Sequence, residues 1–170
     1  MSETKKNVKE ITDRTIRDGG VLAFLYFDIH AAKKEDVQNL GVGFVNHVIK
    51  TPGVVYALGE IEEPVGGEEG KNYSSSIEVK VLTKDFITLA NLCLTHSPFT
   101  VEITRPDRIN MQLNQAHELL GLLGATTAEY KKAILSKISK PEEIEEMQRQ
   151  LKMRAEMGKK LLEKKKGEKE

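Results

Sequence analysis

Cysteine is nearly missing from this 170-residue chain: Cys93 stands alone. That excludes an intrachain disulfide and any cysteine cluster for zinc, and it suits a reducing, cytoplasmic setting. Net charge is missing too. Lys+Arg and Asp+Glu number 26 each, so no global field draws the chain toward nucleic acid or acidic lipid, and any such binding has to be local. There is no long hydrophobic run. The longest, from Val21 to Ile29, is broken by Asp28 and falls well short of the roughly 20 apolar residues of a membrane span. The first twenty residues are polar, without the apolar core of a signal peptide. No membrane attachment is expected.

Motifs that carry a mechanism are absent as well. Gly41-Val-Gly43 lacks the third glycine of a dinucleotide fingerprint, and Gly66-Gly67-Glu-Glu-Gly70 is acidic where a phosphate cradle needs a lysine or hydroxyl. The four histidines, His30, His47, His96 and His117, show no i, i+4 partner of the kind that binds zinc. No cofactor is called for.

What is present is an alternation of element signals from Val21 to Thr104: strand, helix, strand, strand, helix, strand. That is the βαββαβ order of a ferredoxin-like α+β sandwich, with an antiparallel sheet of order 4-1-3-2. A short helix over Val8 to Arg17, with Val8, Ile11 and Thr15 inward, precedes it and stops at Asp18-Gly19-Gly20. The strand from Val21 alternates Ala23, Leu25, Phe27 and Ile29 against Leu22, Phe24, Tyr26, Asp28 and His30. Val37, Leu40, Gly41, Phe44, Val45 and Val48 form an amphipathic stripe over 34–50. Residues 54–61 read as a strand, and 62–73 as a long polar loop. Ile77, Val79 and Val81 alternate with Ser76, Glu78 and Lys80. Thr83 then caps a helix bearing Phe86, Leu89, Ala90 and Cys93, where Cys93 is an inert apolar filler. Phe99, Val101 and Ile103 mark the fourth strand.

Beyond Arg105-Pro106-Asp107 the pattern is helical. Ile109 to Leu123 form one stripe closed by Gly124, Thr126 with Glu129 is a capping box for a second helix, and Ser139 with Glu142 opens a third toward Lys164. Three regions result: an N-terminal arm over 1–20, an α+β domain over 21–105 and a helical extension over 106–170.

Two constellations follow from this topology. The far end of the first strand lies beside the starts of the third and fourth, which predicts that Asp28 and His30 approach His96, Ser97 and Ser75, a ligand-binding set able to hold a divalent metal or handle a proton. Leu22, Phe24 and Tyr26 lie on the face that the two sandwich helices leave open, and a bare apolar face is seldom tolerated. The helix over 109–123, a second subunit or both are expected to cover it, which predicts a homodimer or higher oligomer. Stacking of RNA bases on Phe24 and Tyr26, aided by the basic run Lys164-Lys165-Lys166, is the alternative. Glu78 and Glu102 on the same face argue against nucleic acid.

Thr51-Pro-Gly-Val-Val-Tyr-Ala-Leu-Gly59-Glu60, with the element order, resembles the regulatory modules of the ACT type and the effector domains of Lrp/AsnC-type regulators. The resemblance implies oligomerisation and a small-molecule effector. The chain departs from it in having His30-Ala-Ala-Lys33 where a glycine is characteristic, and in the 62–73 insertion. The expected function is therefore a non-enzymatic, oligomeric binding or regulatory module. An RNA-associated protein comes second, and an enzyme or metal site at Asp28, His30 and His96 third.

Overall fold

The structure is a computed structural model describing residues 2–66, 72–138, 146, 149–153 and 155–157. Its elements are α1 (Ser2–Arg17), β1 (Val21–Ala31), α2 (Lys34–Ile49), β2 (Val54–Ile61), β3 (Tyr73–Thr83), α3 (Phe86–His96), β4 (Thr100–Arg105) and α4 (Leu113–Ile138). The four strands form one antiparallel sheet running β2-β3-β1-β4, which read from the β4 edge is 4-1-3-2. By contact the chain divides into residues 1–123 and 124–170.

The period-2 pattern decides the two faces. Ala23, Leu25 and Phe27 of β1 and Ile77, Val79 and Val81 of β3 point to one side, where they bury Val48 of α2 and Leu89 and Leu92 of α3. Two glycines set the spacing of this layer. A Cβ on Gly41 would strike the end of Ile61, and one on Gly59 would overlap Val45, so α2 lies directly on β2.

Several expectations are corrected. The cap of α3 is Asp85, not Thr83: Asp85 Oδ1 accepts from the Thr88 N–H at 2.7 Å and from the Thr88 hydroxyl at 2.6 Å. Thr83 is buried and donates instead to the Val21 and Asp85 carbonyls. In α1 the inward positions are Thr12, Thr15 and Ile16, whereas Val8 and Ile11 are exposed. Residues 109–112 are not helical, and Gly124 does not close a helix, since α4 passes through it and through Thr126 as 26 continuous residues. A glycine inside a helix costs only about 1 kcal/mol, too little to break a run with good formers on both sides. The Ser139 capping box and the Lys164 run lie outside the described residues.

The largest correction concerns the open face. Its cover at the Val21 end is α1: Thr12 is buried with its hydroxyl 3.0 Å from that of Tyr56, and the Arg105 guanidinium donates to Asp13 at 2.7 Å. Leu22 and Leu82, which alternation assigns to this face, are buried at 7% and 0% exposure. Phe24 and Tyr26, further along, stay half-buried.

Candidate functional site

β1 has two ends, and the structure gives them different characters. At its C-terminal end the expected cluster divides between the faces of the sheet. Asp28 is exposed opposite Ser76, and His30 Nδ1 shares a hydrogen bond with Ser74 Oγ at 2.8 Å. Both belong to the open face. His96 lies on the helical side, its ring edge-on to Phe44 at 5.3 Å and to His47 at 5.5 Å; Phe44 in turn packs on the core ring of Phe27. Burial and the nearby His47 hold the His96 imidazole below its ordinary pKa. Ser97 is the left-handed C-cap of α3, φ 52°, its N–H donating to the Cys93 carbonyl, while Ser75 turns inward and donates to the Glu62 carbonyl. His30 and His96 are thus not brought together. Among the described residues, no three His, Cys, Asp or Glu side chains are grouped to hold a metal ion.

The open-face residues form a compact patch. The Lys80 ammonium stands 5.6 Å over the Phe24 ring, and Tyr26 lies 6.2 Å from Phe99 between rings. Desolvation, then the charges and hydrogen bonds of Glu78 and Glu102, push the Tyr26 hydroxyl above its ordinary pKa. Two carboxylates beside the aromatic platform oppose a phosphate backbone.

At the N-terminal end three connections converge on a cleft of about 390 Å³, within the roughly 300 to 1,000 Å³ of small-ligand sites. The α1–β1 turn supplies Arg17, Asp18 and Gly19, whose φ of 99° lets the chain reverse without a Cβ penalty. The first turn of α3 supplies the apolar wall, Phe86 and Ile87. The segment after β4, leaving through a cis Arg105–Pro106 peptide, supplies Arg108, Asn110 and Met111, and α4 adds Gln115. A smaller hollow beside it is lined by Asp85 and Gln112 with Asp18 and Asn110. The Arg105–Asp13 ion pair ties α1 to β4 at this end. Asp13 answers with a carboxyl held below its ordinary pKa, chiefly by the hydrogen bond from Arg105. A wider hollow of about 730 Å³ along α2 is shallow and mostly apolar, around Ala31, Leu40 and Phe44.

The model of one protein family matches residues 22–164. The chain belongs to the MJ0538 family. That match spans α4 and the four strands of the sheet but for Val21. No curated protein and no solved structure matches the chain.

The cleft was missed because its residues read as punctuation: Asp18-Gly19-Gly20 as a stop, Arg105-Pro106-Asp107 as a separator. The missing step was topological. In an antiparallel β1–β4 pair the start of β1 must lie beside the end of β4, so both punctuation segments share one end of the sheet.

Proposed function

We propose that the chain is a non-catalytic, ferredoxin-like binding module that takes a small carboxylate-bearing effector in the cleft at the Val21 end. The observation carrying this reading is the lining: Arg17 and Arg108 supply cationic forks suited to a carboxylate, Phe86 and Ile87 an apolar wall, and Asn110 and Gln115 orienting amides. Asp18, at the same rim, accepts a donor group of the ligand. The resemblance to ACT-type and Lrp/AsnC effector modules supports the same class of function. Because Arg108 to Met111 lead directly into α4, an occupant touches both the sheet domain and the start of the helical continuation, which is where a regulatory signal has to pass.

The test is a thermal-shift screen of the full chain with small organic acids, amino acids, nucleotides and divalent metals. A ligand present at 100 times its dissociation constant raises the stability of the fold by about 2.7 kcal/mol. The expected result is a hit among the carboxylates that Arg108→Ala abolishes and Asp36→Ala, in the shallow α2 hollow, leaves intact. A hit that survives Arg108→Ala places the site elsewhere and overturns the assignment.

A further inference from the structure

β4 is an edge of the sheet whose helix-side face is left open. The helix-side face of the other edge strand, β2, is covered by α2, Gly59 lying against Val45 and Ile61 under Gly41. On β4, Val101 and Ile103 share the helix side with Leu25 and Ala23, their cross-strand partners, yet remain 42% and 39% exposed. The strand Thr-Val-Glu-Ile-Thr-Arg contains no proline and no lysine, and its two charges, Glu102 and Arg105, are of opposite sign and so need not repel a second copy.

We propose that two copies of this chain join β4 to β4 about a two-fold axis, fusing two four-stranded sheets into one antiparallel sheet. Strand ends of this kind are self-complementary in their backbone groups, and the charges choose the register. Glu102 and Arg105 would point to opposite faces in a regular strand. The irregularity between Ile103 and Arg105 puts both on the open face, opposite Phe24 and Leu22. Placing Glu102 of one copy against Arg105 of the other makes the same ion pair twice by symmetry. Centring the pairing on Glu102 would oppose two carboxylates, and centring it on Arg105 two guanidiniums. Arg105 already donates through one amino group to Asp13, and the guanidinium has further donors for a second carboxylate. On the other face the exposed Val101 and Ile103 of both copies close over the axis. The contact differs from the dimer expected through Leu22, which α1 buries.

Light scattering on the full chain across micromolar concentrations tests the assignment. The expected mass is that of two chains, falling to one for Ile103→Lys and for Glu102→Arg at the same concentration with unchanged circular dichroism, a rise of at least tenfold in the dimer dissociation constant. Mixing the Glu102→Arg chain with an Arg105→Glu chain restores the dimer, since the swapped charges complement one another only across the two-fold. A monomeric wild type, a dimer indifferent to Ile103→Lys, or a β4 edge that pairs only with a different polypeptide overturns it.

Discussion

At the residue scale the two resolved acid and phenol shifts make opposite predictions. Asp13 has its folded-state pKa depressed, so its pair with Arg105 contributes stability above the ordinary carboxylate range and loses it as pH falls through the folded value. Carboxyl NMR should show Asp13 titrating below the ordinary aspartate value, and Arg105→Gln should return it toward that value. Tyr26 has its pKa raised, so the folded state holds its proton longer than the unfolded one, and stability declines as pH rises above the ordinary tyrosine value. Ultraviolet titration should find it ionising above the ordinary tyrosine value, and Glu78→Gln should bring it back toward that value. Cys93, raised by burial, should react slowly with thiol reagents until the chain unfolds. Alternation placed Tyr26 on the correct face, and the helical stripe turned Cys93 toward the core. Topology set His96 only at the height of the sheet's end, because the last turn of a helix has no period-2 constraint, and its side was decided by packing, where its ring meets Phe44 and His47.

Elements depend on a few positions with known costs. Asp85→Ala removes the cap of α3 and leaves the Thr88 N–H and hydroxyl without their acceptor, a loss of about 1 to 2 kcal/mol by chemical denaturation. Leu92→Ala, at a fully buried site, should cost roughly 2 to 5 kcal/mol. Gly59→Ala forces Val45 aside and should destabilise by about 1 to 3 kcal/mol. In contrast, Gly124→Ala meets open space within α4 and should stabilise it by up to about 1 kcal/mol. The strands and α2 were legible because burial imposes their periods. The inward side of α1 was legible only at Thr15, since Thr12 is polar and its hydrogen bond to Tyr56, rather than apolar area, fixes the packing; α4 was cut short because a lone glycine and a capping box imitate an end.

On the scale of the whole molecule, equal numbers of acidic and basic residues leave binding to local surfaces, and the aromatic open face is flanked by Glu78 and Glu102. Gel-shift measurements at physiological salt should therefore show no tight, sequence-selective retention of RNA. Among the described residues no helix is long and apolar enough to cross a membrane. The element order and core were readable from the chain alone, but the cleft was not, since it is assembled from three turns whose residues carry no periodic signal and meet only once the sheet exists.

That dependence gives α1 a place in time. Its two side-chain ties reach Tyr56, 44 residues on, and Arg105, 92 residues on, one in each edge strand. Neither partner is in position before β2 and β4 have found their registers. α1 therefore docks late and acts as an inspection of the finished sheet: a chain whose edges have slipped offers it no matching pair of sites. Contacts of such long sequence separation form after the local ones, so Thr12→Ala should accelerate unfolding while leaving the folding rate nearly unchanged in stopped-flow measurements.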